Sequence, residues 1–404
     1  MMRYTGIGIL SEYDSVKRVC SIAVLHEDQM MEVAKVKEQF TEEERQTIIA
    51  ILRKTGHERK KGIFRAPPGI CLYIGFESII NYKLKSPVYL HIAVAEKWTA
   101  CTWVNLQLSQ YEKVAMTNPD KIIWDSQSVT KEMYLDYLME VSDFMLPFLQ
   151  NRYLTVKRYP EGVGREGFYQ KSTPEYAPDF VKAVQYKDIK YTVCSNIETL
   201  LWLGNQASIE FHIPFNELNE QNPKEIVFDL DPPEIGDLRI AVKAALEMKQ
   251  LLDQFQLTAY VKLSGRKGIQ IHLPLNEATI SYSETRILTE FIALYLVNRF
   301  PDHFTIERMK KNRGKRLYID YIQHDRDKTI ICPYSPRETV CPCIAAPLFW
   351  DEVNIGLKSE DFTMKTVKER VGKGVNPFAT YFTVTQSEQV KKIIDFIKEN
   401  HVRE

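Results

Sequence analysis

The sequence predicts two units of different fold class: a small β-barrel at the N-terminus and a larger α/β (α+β) domain built on a mixed sheet. Three observations support this. Residues 1–105 combine several short segments of alternating apolar and polar residues with one helical segment. The remainder interleaves apolar strands with helices, an order typical of a sheet covered by helices. At 404 residues, the chain is long enough for two or three domains.

The N-terminal unit shows its strands and its helix through local signals. The segments GICLYIGFESI and SPVYLHIAV alternate as half-buried strands do. TEEERQTIIAILRKTG predicts a helix with Thr41 as N-cap, Glu44 completing a capping box and Gly56 as the stop. Short strands around one helix are typical of a small barrel such as an OB-fold. Residues 106–118 are predicted to form a polar connector.

Composition limits the compartment and the partners. Lys and Arg number 53, as do Asp and Glu, so contact with a polyanion must come from local patches rather than from net charge. The N-terminal residues lack the apolar core of a signal peptide, and no apolar run reaches transmembrane length. Seven scattered cysteines fit a reducing compartment. We therefore expect a cytoplasmic protein without a membrane partner.

The larger unit begins with a helix predicted from its N-cap Thr130, in SVTKEMYLDYLMEVSDFMLPFL. Strands such as YLTVKRYP, SIEFHIPF, TAYVKLS and GIQIHLPL then alternate with helices such as DLRIAVKAALEMKQLLDQF. The C-terminal part is predicted to be helical. This order predicts a sheet domain whose active face is built from strand ends.

The stretch EIVFDLDPPE, residues 225–234, ends a predicted core strand with two acids. Residues i and i+2 of a strand point to the same face, so Asp229 and Asp231 project together. Two carboxylates roughly 5 Å apart repel by about 3 kcal/mol at an effective dielectric near 20. A shared proton, a divalent cation or exposure to water at the strand end each offsets that repulsion.

Asp320, in LYIDYI, is the third acid that interrupts an apolar strand. It either lies solvated at a strand end or joins the other two acids in an oxygen-rich site. Such a site can hold one or two divalent metals, and two metals about 4 Å apart suit a phosphoryl or nucleotidyl displacement.

Other segments add candidate contacts for phosphate and nucleic acid. Ser264, Arg266 and Lys267 lie in a Gly-flanked turn that is either a phosphate cradle or a plain basic hairpin. The run ERMKKNRGKR is either a solvated face or a polyphosphate contact. The same two-sided interpretation, core packing or function, applies to three further residues: His212, Phe168 and Tyr169.

Taken together, these motifs resemble the archaeo-eukaryotic primase superfamily and, more narrowly, the polymerase domain of bacterial DNA ligase D. The resemblance runs from about Ala115 to Val353 and rests on segments in the family's order. These segments are MTNPDKIIWDSQSVTKEMYLDYL, LTVKRYPEGVGREGFYQK, EFH, VFDLDPP, LSGRKG, IDYIQ, PYSPR and AAPLFWDEV. The implied fold is a primase-like repair polymerase domain over residues 112–404.

The resemblance implies a role for each motif residue. The acids Asp229, Asp231 and Asp320 are implied to be catalytic and to bind manganese or magnesium. A second group is implied to bind the incoming NTP or dNTP: His212, Ser264, Arg266, Lys267, Gln270, Arg326 and Arg337. A third group is implied to bind DNA, at the 5′-phosphate across a gap or by stacking on the template: Asn118, Lys121, Lys131, Phe168, Tyr169 and Lys171.

This resemblance implies template-directed synthesis at DNA ends in non-homologous end joining, at the bacterial nucleoid, with Ku and a ligase left open as partners. One departure is Gln270, which stands where the family commonly has His; His272 lies two residues on, on the same strand face. Residues 1–105 are similar to the OB domain of ATP-dependent DNA ligases. Because the chain contains no Lys-x-Asp-Gly, we expect no self-contained ligase activity. Two alternatives stay open: a ligase D acting with a separate adenylation part, and a non-catalytic DNA-end-binding module.

Overall fold

The structure, a computed structural model, describes residues 2–27, 29–111, 113–234 and 238–401. It consists of two compact units, residues 1–117 and 118–404. The predicted start of the polymerase domain, Glu112, and its last three residues lie outside the described residues.

Unit 1 is dominated by one curled antiparallel sheet. The strands of that sheet are β1 (Tyr4–Asp14), β2 (Val19–His26), β3 (Gln29–Lys37), β4 (His57–Lys60), β5 (Ile63–Arg65), β6 (Cys71–Phe76) and β9 (Val88–Ile92). Strands β7 (Ser78–Ile80) and β8 (Lys83–Lys85) form a separate two-stranded sheet. The helices of unit 1 are α1 (Glu42–Thr55) and α2 (Trp103–Leu108). The sheet runs β3-β2-β1-β5-β4, and β6 pairs with both β1 and β9. The first part of β1 pairs with β6 and its last residues pair with β5, which curls the sheet. The OB barrel itself stays a prediction.

Helix α1 confirms the capping signals in the sequence. The Thr41 side chain accepts a hydrogen bond from the Glu44 backbone N–H, and the Glu44 carboxylate accepts one from the Thr41 N–H. Gly56 follows the last turn as C-cap. The polar connector predicted at 106–118 is wrong at its start, because α2 extends through Leu108 and buries Leu106.

Unit 2 carries two larger sheets with helices around them. Its strands are β10 (Ile122–Trp124), β11 (Val129–Thr130), β12 (Thr155–Arg158), β13 (Phe168–Gln170), β14 (Ala183–Tyr186), β15 (Ile189–Thr192), β16 (Ser208–Pro214), β17 (Glu225–Asp231), β18 (Tyr260–Leu263), β19 (Ile269–Pro274), β20 (Phe304–Thr305), β21 (Leu317–Asp320), β22 (Thr329–Ile331) and β23 (Pro347–Leu348). Its helices are α3 (Lys131–Leu149), α4 (Ile197–Asn205), α5 (Arg239–Gln254), α6 (Tyr282–Arg299), α7 (Lys310–Arg313), α8 (Met364–Gly372) and α9 (Ser387–His401).

The mixed sheet predicted for this unit is confirmed. The first sheet has the order β13-β12-β16-β22 and is antiparallel. The second has the order β20-β21-β17-β19-β18-β23, and its pairings are antiparallel except for the parallel pair β20–β21. Strand β17 therefore lies inside the second sheet, with β21 on one side and β19 on the other.

The helices of unit 2 follow their sequence signals. Helix α3 begins where its N-cap was predicted, because the Thr130 side chain accepts a hydrogen bond from the Met133 N–H. Helices α3 and α6 have 19 and 18 residues. Even so, none of the helices in the described part of the chain combines the length and the apolar character needed to cross a bilayer.

Cys341 and Cys343 are joined by a disulfide across a single proline. The bond closes a loop of only three residues. Such a short ring constrains its own turn rather than the chain as a whole. The other described cysteines, including Cys332, are buried thiols.

A buried charge network holds the start of β17. The Glu225 carboxylate accepts hydrogen bonds from Arg152 Nη1 at 2.7 Å and from Tyr381 Oη at 2.6 Å. His272 Nδ1 lies 2.9 Å from the second carboxylate oxygen. Burial alone would raise the pKa of Glu225, but the charge of Arg152 and the hydrogen bond with His272 outweigh it and hold that pKa far below its usual range. The network ties β17 and β19 to the chain after α3 and to the segment before α9.

We predict that R152M strongly destabilises the protein. Arg152 and Glu225 are 3% and 1% exposed, so the substitution leaves the buried Glu225 carboxylate without the positive charge of its guanidinium partner. Losing one partner of a buried ion pair costs about 3–5 kcal/mol. Urea unfolding followed by circular dichroism measures the loss. K392M, which breaks the exposed Lys392–Glu388 pair, is the matched control and should leave the midpoint unchanged. Equal midpoints for R152M and the wild type would contradict a stabilising role.

Candidate active site

The second sheet of unit 2 carries a row of polar residues across four adjacent strands. Asp320 of β21 lies directly opposite Asp229 of β17. Asp229 is in turn opposite Gln270 of β19, and Gln270 is opposite Lys262 of β18. Directly opposed residues share a face of the sheet. This row, Asp320–Asp229–Gln270–Lys262, is called the polar row below.

Asp231 joins the acids on the same face, because it lies two residues after Asp229 in the same strand. Its register partner on β21 is Tyr318. The three acids are therefore brought together, as predicted. They lie within β17 and at the end of β21, and the residues between them, such as Leu230, are fully buried on the opposite face. The interpretation that they are separate solvated acids is not supported.

Each acid has a defined polar neighbour. Gln270 Nε2 donates to Asp229 Oδ1 at 3.2 Å. Asp320 Oδ1 accepts from Tyr318 Oη at 3.1 Å and from the Gln323 backbone N–H at 2.9 Å. Lys267 Nζ lies 3.5 Å from Asp231 Oδ1.

The electrostatics of the acids are unfavourable without a further positive charge. Burial, and then the charges of Asp231 and Asp320, raise the pKa of Asp229 to about 7. Burial also raises the pKa of Asp320, and the hydrogen bond from Tyr318 offsets part of that rise. Above pH 7 the site therefore concentrates negative charge that the fold compensates only in part.

The acids fit a divalent cation in donor type and in charge. Carboxylate oxygens are the ligands that Mg²⁺ and Mn²⁺ prefer, and a cation would relieve the repulsion that raises the Asp229 pKa. Within the described ranges, no three His, Cys, Asp or Glu side chains already converge closely enough to hold one ion. The backbone register thus places the three acids on one face, and their side chains would have to turn to hold an ion together.

The Gly-flanked turn lies beside the acids and is organised by Ser264. Ser264 Oγ accepts hydrogen bonds from the Gly268 N–H at 3.0 Å and the Arg266 N–H at 3.4 Å. Gly265 has a φ of +72°, and a Cβ there would lie 2.7 Å from both the Arg337 side chain and the Ile344 backbone. The turn therefore requires glycine at this position. Lys267 Nζ also donates to the Pro232 carbonyl at 3.2 Å, which ties the turn to the end of β17.

Glu210 connects the turn with His212. Its carboxylate accepts from Arg337 Nε at 2.8 Å and lies 2.9 Å from His212 Nε2. Arg337 Nη1 also donates to the Ser264 carbonyl at 2.9 Å. Burial alone would raise the pKa of Glu210, but the hydrogen bond with His212 and the charge of Arg337 outweigh it and lower that pKa to about 2. His212, Ser264 and Arg337 are thus brought together.

The aromatic pair lies on the neighbouring sheet and is open to solvent. Phe168 and Tyr169 are 46% and 60% exposed, so the alternative of core packing is wrong. The Tyr169 ring lies 5.8 Å from that of His212, and Lys157 Nζ lies 5.3 Å from the Tyr169 ring centroid. Tyr169 and Lys157 are opposed in the register of β13 and β12, so they share the face on which His212 also lies.

Arg326 lies away from the other nucleotide candidates and beside Lys171, which is a DNA-binding candidate. They line one pocket of about 250 Å³. Tyr153, Tyr186 and Tyr191 line its aromatic side, with the Tyr153 and Tyr186 rings stacked at 4.6 Å. The residues that line this pocket do not include the acids or Arg337. Arg326 is therefore grouped with a predicted DNA contact rather than with the Gly-flanked turn.

The three candidates for a 5′-phosphate contact converge at the start of α3. The Lys121 N–H donates to the Asn118 carbonyl at 3.1 Å, and the Lys131 N–H donates to the Lys121 carbonyl at 2.8 Å. Lys131 is 5% exposed, and burial together with the nearby charge of Lys121 lowers its pKa. Lys121 Nζ pairs with Glu161 at 3.2 Å. Both lysines carry the charge that an anion would require, and the positive end of α3 lies beside them.

Sequence reasoning missed Lys262 and Glu210. Lys262 is fully buried, and its Nζ donates to Gln270 Oε1 at 2.5 Å. Burial, and then the charge of Arg337, lower the pKa of Lys262 to about 7. In both cases the signal was a charged residue within an apolar strand pattern, the same signal that identified the acids. His272, in contrast, forms a buried hydrogen bond with Glu225, and therefore does not take the place of a histidine at position 270.

The chain is similar to known proteins along most of its length. The family described as "LigD, primase-polymerase domain" matches residues 130–378. The bifunctional non-homologous end joining protein LigD of Bacillus subtilis is 42% identical over 381 residues, which cover 94% of this chain and 62% of that protein. The multifunctional non-homologous end joining protein LigD of Mycolicibacterium smegmatis is 33% identical over 61% of this chain and 33% of that protein. The chain thus spans less than two thirds of either relative.

A solved structure agrees with the fold of unit 2. The polymerase domain of Mycobacterium tuberculosis ligase D, in complex with DNA, is 28% identical and superposes with a TM-score of 0.63. The match covers 68% of this chain and 99% of that domain. The mixed α/β fold is therefore that of a ligase D polymerase domain.

We predict that the metal-free protein gains stability from D229N above neutral pH. The folded-state pKa of Asp229, about 7, lies above its ordinary value of 3.8, so this acid's contribution to stability is full at low pH and falls as pH rises through 7. The D229N variant lacks this loss. In EDTA, its free energy of unfolding relative to wild type should rise by roughly 2–3 kcal/mol between pH 5 and pH 8.

Urea unfolding of both proteins at both pH values measures this difference. Glu210 and Glu225 also make the free energy of unfolding depend on pH in the acid range. Both proteins contain these two residues, so their effect cancels when the variant is compared with the wild type. If the free energies of unfolding of D229N and wild type differ by the same amount at pH 5 and at pH 8, the pKa of Asp229 is not raised.

Proposed function

The chain belongs to the LigD primase-polymerase family, and we propose that it is a template-directed nucleotidyltransferase that adds NTPs or dNTPs at DNA ends and short gaps during non-homologous end joining. Family membership indicates an enzyme of the nucleotidyltransferase type. One observation carries the finer proposal: Asp229 and Asp320 are register partners, with Asp231 on the same face and Lys267 3.5 Å from it. The three acids and the positive charge of Lys267 thereby lie side by side.

In the proposed reaction, the 3′-hydroxyl of a primer attacks the α-phosphate of the bound nucleotide. The new P–O bond forms as the bond to the β-phosphate breaks, and pyrophosphate leaves. A manganese or magnesium ion held by Asp229, Asp231 and Asp320 would lower the pKa of the attacking hydroxyl and neutralise charge on the leaving phosphate. Gln270 and Tyr318 hold two of these carboxylates in place by hydrogen bonds.

The nucleotide is proposed to lie between the acids and the Ser264–Gly268 turn. Ser264, Lys267 and Arg266 contribute a hydroxyl and two positive charges to its phosphates. Arg337 and His212 extend this surface, and their orientation is fixed by the shared Glu210. Gln270 donates to Asp229 and carries no charge, so we propose that it orients an acid rather than binding phosphate.

DNA is proposed to contact the same unit at three further places. Asn118, Lys121 and Lys131 would bind the 5′-phosphate on the far side of a gap. Phe168 and Tyr169, both exposed, would stack on template bases. The pocket with Lys171 and Arg326 adds positive charge on the side of the first sheet.

The partners follow from what the relatives do. The relatives are named as end-joining proteins, and the tuberculosis domain was solved with DNA bound. We propose that this chain acts on 5′-phosphorylated duplex ends, and that Ku and a ligase activity complete the repair. We also propose that residues 1–105 form an OB-type barrel that adds to the grip on DNA.

We predict that D229A abolishes primer extension. The assay uses a short-gapped duplex with a 5′-phosphate on the downstream strand, manganese, and either NTPs or dNTPs. Losing one of three metal-binding carboxylates should lower the extension rate by at least about a thousandfold, because the metal supplies several kcal/mol of transition-state stabilisation. D253A removes an exposed acid of α5, which pairs with Lys249, and is the matched control. D253A should extend like the wild type.

The same assay separates the polymerase from a DNA-end-binding module. Under the proposal, D229A binds the gapped duplex normally but does not extend the primer. The polymerase proposal is wrong if the wild-type protein binds the gapped duplex tightly but extends the primer with none of the nucleotides and metals offered. That result would favour a non-catalytic DNA-end-binding module.

We predict that K121A lowers the affinity for DNA only where a 5′-phosphate is present. A charge-assisted phosphate contact is worth about 1.5–3 kcal/mol, so binding should weaken about tenfold or more. Fluorescence anisotropy with phosphorylated and unphosphorylated gaps measures the effect across a salt series. The salt slope should fall by about 1. If K121A loses the same affinity for the phosphorylated and the unphosphorylated duplex, Lys121 contacts the DNA elsewhere. The control is K392A, which removes an exposed lysine and should bind both duplexes like the wild type.

A further inference from the structure

Lys262 is the least expected residue of the polar row. It is a lysine with no exposed surface, in β18, which lies between β19 and the edge strand β23 of the second sheet of unit 2. It shares the face of the sheet that carries the acids but has no surface open to a substrate, and among the described residues its ammonium group is within ion-pair distance of no carboxylate. Its Nζ donates to Gln270 Oε1 at 2.5 Å and approaches the Leu263 carbonyl at 3.5 Å. A buried cation is costly, so its retention at this place calls for a function.

The contact determines the orientation of the Gln270 amide. In its protonated form Lys262 can only donate hydrogen bonds, so the atom that faces it is the amide oxygen, as in the structure. The amide nitrogen must then point the other way, towards Asp229 Oδ1, which it reaches at 3.2 Å. Gln270 is 2% exposed, so water does not compete for either end. Without the lysine, either end of the amide could face the acid, and the oxygen would repel it.

The register makes this chain of contacts direct. Lys262, Gln270 and Asp229 occupy the same row of three adjacent strands, each opposite the next. Each side chain therefore contacts its neighbour across a single strand spacing. The orientation set at Lys262 is transmitted through one rigid amide to the carboxylate.

From these contacts we infer that Lys262 is a positioning residue for the metal site: it fixes Gln270 as a donor and thereby holds Asp229 in the orientation that a divalent cation requires. The inference rests on the proposed function in one respect, the assignment of Asp229 as a metal ligand. Residues that orient a metal ligand from behind typically change metal affinity by about 10–100-fold when they are removed.

The first test is the affinity of the protein for Mn²⁺ alone, measured by titration calorimetry. K262M keeps the length of the side chain and removes its donor. We expect Mn²⁺ to bind about tenfold more weakly to K262M, with kcat reduced and KM for the nucleotide unchanged, because Lys262 does not touch the substrate. K368M removes another poorly exposed lysine, which pairs with Asp136 on α3, and should leave Mn²⁺ affinity unchanged.

The second test is a double-mutant cycle that includes Q270L and K262M/Q270L. If Lys262 acts through Gln270, the double variant binds Mn²⁺ as weakly as K262M and no more so. The double variant replaces both polar partners by apolar groups, so it provides the measurement even where a single variant fails to fold. Wild-type affinity in K262M, or in the double variant, overturns the inference, as does a further tenfold loss in the double variant.

A separate variant distinguishes failure of this inference from failure of the metal site. D229N removes the charge of the ligand itself and should abolish high-affinity Mn²⁺ binding. Equal Mn²⁺ binding by D229N and wild type overturns the metal site and the inference with it. Loss in D229N together with wild-type affinity in K262M overturns only the role of Lys262.

Discussion

The alternation of strand β17 is the constraint on which the site depends. Its even-numbered residues, Ile226, Phe228 and Leu230, are completely buried and anchor the strand in the sheet. Its odd-numbered residues include Glu225, Asp229 and Asp231, so the same strand that stabilises the core delivers three carboxylates to one face. The pairing of β17 with β21 and β19 then determines which side chains lie next to each carboxylate.

The fold compensates these carboxylates unequally along the strand. At the start of β17, Glu225 has a guanidinium, an imidazole and a tyrosine hydroxyl as partners, and its pKa is held low. At the end, Asp229 accepts one amide hydrogen bond from the part of the chain that the structure describes, and its pKa is raised to about 7. The first arrangement is typical of a structural charge and the second of a functional one. The difference lies in the partners that the neighbouring strands provide.

The sequence predicted what local patterns determine. The caps at Thr41 and Thr130 are set by residues three positions away, and both helices begin as predicted. The short helix α2 was missed because six residues carry little periodicity. The acids were found because a strand delivers i and i+2 to one face.

The pairing of Lys262 with Gln270, and of Glu210 with Arg337, could not be predicted in the same way. These contacts depend on strand register and on chain segments up to 127 residues apart. Arg326 shows the same limit. It lies six residues from Asp320 in sequence, yet it lines the pocket with Lys171 and not the turn with Ser264.

The two-residue period of β17 also constrains how this gene can change. A single codon inserted between Glu225 and Asp231 would exchange the two faces of the strand from that point on, turning carboxylates into the core and aromatic or aliphatic groups towards the site. Substitutions alter one side chain at a time, whereas such an insertion would abolish core and site together. Length variation among descendants of this chain should therefore be confined to turns and connectors, and the length of β17 should be invariant.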